Sequence, residues 1–325
     1  MPESCVSLRL GVSLLGYRLL VEVTEVTVGA MMNGRQVLER WLGDLDGGVR
    51  RCWVMGVLNV TPDSFSDGGS FLDPGMAVEA AMKMAAGGAD VIDIGAESTR
   101  PGSLPVSEGE QLARLLPVLQ GLERAGFGLP VTVDTTRARV VEECLAWGVA
   151  GVNDVSAGLQ DPAMLGVVAR AGVAYIAMHM RGDPLTMQED PRYPVLGVVG
   201  EVAEFLEGRL DAAVTAGVRR EMLLADPGIG FGKTLLHNVR LLRDLPWLAG
   251  KLGVPLLVGT SRKGFLGKIT GRADARDRLM ATAGSVAWAA GNGAAMVRVH
   301  DVGEMRDVVE VVYAIRAAGE SAPDA

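Results

Sequence analysis

The chain has 325 residues, 49% of them hydrophobic and 22% charged, with a formal net charge of −8. That length allows two average domains or one large one around a sizeable core. The negative balance argues against generic affinity for nucleic acid, and an anionic ligand would need a local cationic pocket working against the overall field. Cys5, Cys52 and Cys144 are odd in number and widely spaced, which gives neither a disulfide framework nor a zinc site. Each reads as a small apolar filler in a reducing cytoplasm. The N-terminal MPESC has no basic region ahead of an apolar stretch, so no signal peptide is expected. No apolar run reaches the length of a membrane span.

In the first 50 residues, Leu8 to Val28 mixes apolar and polar residues, with partial alternation in Val21-Glu22-Val23-Thr24. This predicts a strand pair, and Arg35 to Leu42 predicts a short helix. The segment is too short for a separate catalytic domain. It is expected either to cover the bottom of the larger C-terminal unit or to be partly disordered.

From Val54 apolar runs alternate regularly with amphipathic stretches. Strands are predicted over Val54–Asn59, Asp90–Gly95, Pro130–Asp134, Gly151–Asp154, Ala174–His179, Met222–Asp226, Pro255–Gly259 and Ala294–Val299. Helices are predicted over Gly75–Gly87, Ser107–Ala125, Arg137–Trp147, Pro162–Ala171, Val195–Gly217, Leu235–Leu245, Arg276–Ala290 and Gly303–Ala318. Ser107 and Glu110 have capping-box spacing. Gly87-Gly88, Gly126, Gly148, Gly172, Gly217 and Gly291 each follow a helix, where a C-terminal glycine belongs.

Eight strand–helix units in succession imply parallel strands joined by right-handed crossovers. The stretch is close to the roughly 250 residues of a closed (β/α)8 TIM barrel. An open doubly wound sheet is the alternative, but no Gly-x-Gly-x-x-Gly follows the first strand. The expected organisation is therefore an α/β protein with a short N-terminal extension, residues 1–50, and one barrel, residues 51–325.

Active sites of such barrels lie at the C-terminal strand ends. Here those ends are Asn59, Glu97-Ser98-Thr99-Arg100, Asp134, Asn153-Asp154, His179, Asp226, Ser261-Arg262-Lys263, and Arg298 with His300. Every strand ends in a polar or ionisable group, which a buried barrel tolerates only when the group is paired or used. Asp134, Asn153 and Asp226 supply acceptors and an amide suited to a ring edge carrying adjacent N–H and NH₂ groups, such as a pterin. Arg262, Lys263, Arg298 and His300 form a cationic set from the seventh and eighth units, where barrel enzymes frequently bind phosphate. Asp226-Pro-Gly-Ile-Gly-Phe-Gly-Lys-Thr234 ends like a P-loop, but Pro227 stands where its first Gly is required. Lys233 then reads as a solvated loop cation, and His237 as a packing or capping residue.

The wording of these motifs adds a resemblance. Met55-Gly-Val-Leu-Asn-Val-Thr-Pro-Asp-Ser-Phe-Ser-Asp-Gly-Gly69 resembles the opening signature of the dihydropteroate synthases, enzymes of folate synthesis. Glu97-Ser-Thr-Arg-Pro-Gly102 resembles their second mobile loop. Val133-Asp-Thr135, Asn153-Asp-Val155, Met178-His-Met-Arg-Gly182, the Asp226 loop, Thr260-Ser-Arg-Lys263 and Arg298-Val-His-Asp-Val302 resemble the later motifs, in the right order. Thr132 and Thr136 to Arg139 are worded differently from the family.

The resemblance implies a transferase that joins 6-hydroxymethyl-7,8-dihydropterin pyrophosphate to 4-aminobenzoate and releases pyrophosphate. It implies catalytic roles for Asp63, Phe65, Lys263 and Arg298. It implies substrate contacts from Thr99, Arg100, Asp134, Asn153, Met178, Asp226, Phe231, Ser261, Arg262, Lys263, Arg298 and His300. Magnesium would bridge Asn59 and phosphate oxygens. Metal and cations would stabilise the leaving pyrophosphate, and loops Thr61–Gly69 and Thr99–Gly102 would close to exclude water. A cytoplasmic homodimer with small-molecule substrates, and without nucleic acid or membrane partners, completes the expectation. A pterin-dependent methyltransferase would share the Asp and Asn contacts but would not need the Thr61–Gly69 loop, the Ser-Arg-Lys triplet or the Arg-x-His pair. A non-catalytic relative is the other alternative.

Overall fold

Each of the eight apolar runs forms a strand. In order they are β1 (Trp53–Asn59), β2 (Val91–Gly95), β3 (Val131–Asp134), β4 (Gly151–Asp154), β5 (Ala174–Met178), β6 (Leu223–Asp226), β7 (Leu256–Val258) and β8 (Ala294–Val299). They pair in chain order as a closed barrel. Every pairing is parallel, and β8 returns to β1 with Met296 beside Trp53 and Val299 beside Gly56. The computed structural model describes residues 30–43, 50–61, 73–98, 103–183 and 186–318. The strand pair expected within Leu8 to Val28 lies outside them.

The helices are α1 (Ala30–Gly43), α2 (Pro74–Ala86), α3 (Glu108–Arg124), α4 (Ala138–Leu145), α5 (Met164–Ala171), α6 (Gly197–Thr215), α7 (Leu235–Arg243), α8 (Leu245–Leu252), α9 (Gly264–Thr270), α10 (Leu279–Gly291) and α11 (Val302–Ala317). Three places depart from the sequence expectation. The helix expected to stop at Leu245 stops at Arg243, and α8 follows at once with Pro246 in its first turn. Proline lacks the N–H that a continuing helix needs but suits a helix start. The short α9 was not expected, because Gly264 and Gly267 weaken its helical signal. A 3₁₀ turn, Ala275–Arg278, replaces the first residues of the helix expected from Arg276.

Two apolar layers hold these elements. Outward strand residues such as Val54, Ile92, Ile94, Val133 and Val152 pack against Leu115 and Leu119 of α3, Leu206 of α6 and Val286 of α10. Inward residues Met55, Val91, Ile176, Leu224, Leu257 and Met296 fill the barrel, joined from below by Leu38 and Leu42 of α1. A Cβ on Gly34 of α1 would lie 2.6 Å from the Leu129 carbonyl oxygen, so this helix runs close against the chain entering β3. Trp41 stacks on Trp53 at the start of β1, with ring centroids 4.4 Å apart. Arg35 donates to the carbonyls of Ala171 and Gly172 ahead of β5 at 2.7 and 3.2 Å.

Strand side chains alternate between faces, so the next inward position lies two residues further on. On that step Val91 gives way to Asp93, Leu224 to Asp226, and Met296 to Arg298. The barrel interior thus changes from apolar to charged within one side-chain layer.

Candidate active site

This upper layer opens into a cleft at the C-terminal mouth. Asp134, Asn153, Met178, Asp226, Phe231, Ser261, Lys263, Arg298 and His300 line it, together with Val57, Val155 and Gly259. These are residues from β1, β3, β4, β5, β6 and β8 and from the loops after β4, β6, β7 and β8, brought together from across the sequence.

Arg298 is the central connection. Its Nε donates to Asp93 Oδ2 at 2.7 Å and its guanidinium NH2 to Asp134 Oδ2 at 2.9 Å. Asp93 also accepts from Thr132 Oγ1 at 2.5 Å and from Asn153 Nδ2 at 2.9 Å. Burial alone would lower Arg298, but Asp93 and Asp134 hold its pKa above the ordinary value. Burial raises Asp134 above the usual carboxylate range, against the pull of Arg298 and with help from Asp93. The sequence suggests separate acceptor and cationic sets, whereas the structure interleaves them. Asp93 was missed because it lies inside Val-Ile-Asp-Ile-Gly rather than at its end. The available signal was a lone carboxylate in an apolar run, which cannot remain buried without partners.

Asn153 shows what the cleft lacks. Its Nδ2 is engaged by Asp93, yet its buried Oδ1 has no hydrogen-bond partner among the described residues. A buried acceptor without a donor is costly and marks a place for a ligand N–H. Across the cleft, Asp226 Oδ1 accepts from Gly228 N at 2.7 Å. Burial raises Asp226, opposed by Lys263, the Gly228 amide and Lys233. Lys263 donates to the Ile229 carbonyl and stands 4.7 Å from the centroid of the Phe231 ring. Burial lowers Lys263 to about 8, against the pull of Asp226. Ser261 Oγ lies 3.0 Å from His300 Nδ1 and accepts from His300 N at 3.2 Å.

Other polar strand ends serve the scaffold. Asp154 turns away from the cleft to accept from Ser156 N and Oγ, Gly158 N and Tyr175 Oη, fixing the turn after β4. Glu97 accepts from Val106 N at 3.1 Å and Gln111 Nε2 at 2.8 Å, anchoring the start of α3. Arg262 has a left-handed φ of 58° and pairs through Nε and NH2 with Asp301, so it is not among the residues lining the cleft. Lys233 is 2% exposed and therefore is not the solvated cation that its loop composition suggests. His237 forms a capping box with Thr234 at the start of α7, as its position predicts. Asn59 ends β1 half-buried, outside the cleft lining. Asp63, Phe65, Thr99 and Arg100 lie outside the described residues, as do most of the two loops expected to close.

Residues 55–300 match the family described as pterin binding enzyme. A dihydropteroate synthase from Synechocystis is 45% identical over 266 residues, covering 82% of this chain and 91% of that protein. The chain belongs to the dihydropteroate synthase family of pterin-binding enzymes. Among solved structures, a family member from Xanthomonas albilineans with 4-aminobenzoic acid superposes with a TM-score of 0.77 at 43% identity. The match covers 83% of this chain and 94% of that one. The same organism's enzyme in complex with 7,8-dihydropteroate gives a TM-score of 0.73 at 40% identity, over 83% of this chain and 96% of that one. Family membership accords with the cleft chemistry, which pairs ring-edge acceptors with cations.

Proposed function

We infer that the protein condenses 6-hydroxymethyl-7,8-dihydropterin pyrophosphate with 4-aminobenzoate, giving 7,8-dihydropteroate and pyrophosphate. The observation carrying this reading is the cleft. Two carboxylates, an amide with a free buried acceptor, and two cations face one cleft. In this assignment Asp134, Asn153 and Asp226 read the edge of the pterin, with Met178 and Phe231 against its faces. Lys263 and Arg298 are both substrate-binding and catalytic, offsetting charge that develops on the pyrophosphate side. Ser261 and His300 hold that side of the substrate. The C–O bond to the pyrophosphate breaks with its electron pair leaving on oxygen. The electron-rich ring supports the exocyclic carbon while the neutral amine of aminobenzoate attacks it. The amine then releases its proton.

Magnesium fits the donors on one condition. Among the described residues no group of three or more His, Cys, Asp or Glu side chains could hold a metal. Asn59 would therefore contribute one amide oxygen, with phosphate oxygens and water completing the hard-oxygen shell that this ion prefers. Bound there, the ion would neutralise charge on the leaving pyrophosphate.

A homodimer is part of the proposal. It is supported by Met280 and Trp288 on α10 and Val311 and Ile315 on α11, which are 80%, 48%, 59% and 70% exposed. A cytoplasmic location fits the buried free thiols of Cys52 and Cys144. No helix among the described residues is long and apolar enough to cross a membrane. The deciding test supplies the pterin pyrophosphate, 4-aminobenzoate and magnesium to the purified protein. Dihydropteroate and pyrophosphate should appear in equal amounts, and the absence of both overturns the assignment.

A further inference from the structure

Behind the cleft wall, the loop after β5 and the loop after β6 press backbone against backbone. Gly228 has φ +64°, and a Cβ there would collide with the His179 carbonyl. Gly232 has φ +61°, and a Cβ there would collide with the Arg181 carbonyl. Lys233 reaches back into this seam. Its Nζ lies 2.9 Å from His179 Nδ1 and donates to the His179 carbonyl at 3.3 Å and the Phe231 carbonyl at 3.0 Å. The three N–H bonds of an ammonium match these three acceptors. His179 is buried, with its ring edge-on to Phe205 at 4.9 Å.

We propose that Lys233 is a positioning residue for the pterin subsite: bound to His179 and to the Phe231 carbonyl, it fixes the Phe231 ring against the cleft and places a positive charge behind Asp226. This rests on the proposed synthase function and deepens it. The tether joins the backbone of Phe231, whose ring also carries Lys263, to the end of the neighbouring strand. Lys233 therefore acts through residues that face the ligand without facing it itself.

The charges around the seam agree with this role. Burial, and then Lys233, push His179 down to about 2, so its ring is neutral and its Nδ1 can accept. Burial holds Lys233 well below the ordinary lysine value, Lys263 and Arg181 add to this, and Asp226 alone opposes them, so the charge that Lys233 carries depends on Asp226. Asp226 faces Lys263 from the loop after β7, Arg298 from β8 and Lys233 from its own loop. Removing any one of these cations should raise Asp226 and reduce its ionised fraction at a given pH.

Lys233→Met keeps chain length and removes both tether and charge. Calorimetry with 6-hydroxymethylpterin should show binding weakened about tenfold, in keeping with lost hydrogen bonds to a charged group. In steady-state assays the KM for the pterin substrate should rise with kcat little changed, and the acidic limb of kcat/KM should move to higher pH. Tyr193→Phe is the control. It removes only the bond from Tyr193 Oη to the Gly232 carbonyl, 2.8 Å, on the outer side of the same loop. It should move neither reading, and a loss matching that of Lys233→Met would show general loosening and overturn the proposal. A folded Lys233→Met with wild-type pterin affinity and an unmoved acidic limb also overturns it. If Lys233→Met does not fold, His179→Asn and His179→Leu decide. The amide keeps an acceptor for Lys233 and should hold pterin better than leucine does, whereas equal affinities reject the tether. Calorimetry reads the tether without turnover, so a wild-type protein that binds pterin but makes no dihydropteroate counts against the synthase reading alone.

Discussion

At the residue scale, Asp134 shows how one carboxylate can serve two partners. It is bonded to Arg298 and, in the functional assignment, also accepts from the pterin edge. Asp134→Asn keeps the shape but removes the charge. Loss of a charge-assisted hydrogen bond costs about 1.5–3 kcal/mol, so pterin affinity measured by calorimetry should fall roughly ten- to a hundredfold. Titration of the free enzyme supplies a second prediction. Asp134 is raised, so it is charged only above its elevated pKa. Lys263, lowered to about 8, is charged only below that pH. The profile of kcat/KM should therefore rise as Asp134 and Asp226, both raised by burial, ionise and fall as Lys263 loses its proton near 8. Lys263→Arg keeps its charge across that range, and initial rates across pH should show the alkaline limb removed. Asp134, Asn153, Asp226 and Lys263 were legible because each stands where an apolar run stops. Asp93 and Lys233 were not: one interrupts a run, and the other sits in a glycine-rich loop whose composition suggests exposure. Burial at both is created by neighbours distant in sequence.

At the scale of elements, strands and their order were the most legible feature, because parallel strands covered on both faces are continuous apolar runs. Helix boundaries were less so where competing signals adjoin, as at Asp244, where α7 ends and Pro246 allows α8 to begin. Helix α1 offers a test that separates stability from binding. Leu38 is 2% exposed and joins the apolar layer inside the barrel, at the end opposite the cleft. Leu38→Ala should cost about 2–5 kcal/mol, the usual range for truncating a buried leucine. Denaturant unfolding should show this as an earlier midpoint, with pterin affinity preserved in the folded variant. Comparable loss of pterin binding without loss of stability would mean that α1 shapes the cleft directly.

At the scale of the whole molecule, the exposed apolar residues on α10 and α11 are the basis for expecting self-association. Light scattering after size exclusion should give twice the monomer mass. Val311→Glu combined with Ile315→Glu should shift the mass toward the monomer if this face is the contact. The barrel itself carries a different consequence. Met55, Val91, Ile176, Leu224, Leu257 and Met296 plug its interior, and Leu38 and Leu42 close it from beneath. Among the described residues the cleft is therefore closed at its base and entered from the C-terminal mouth. A reactant lodged against Asp134 and Asn153 must arrive before whatever sits nearer the rim. The joined product must withdraw past the rim after the small fragment has gone. Queueing of this kind makes the order of arrivals and departures a property of shape, and it appears in kinetics as product inhibition. Dihydropteroate should compete with the pterin pyrophosphate for the innermost position, whichever concentration of aminobenzoate waits outside.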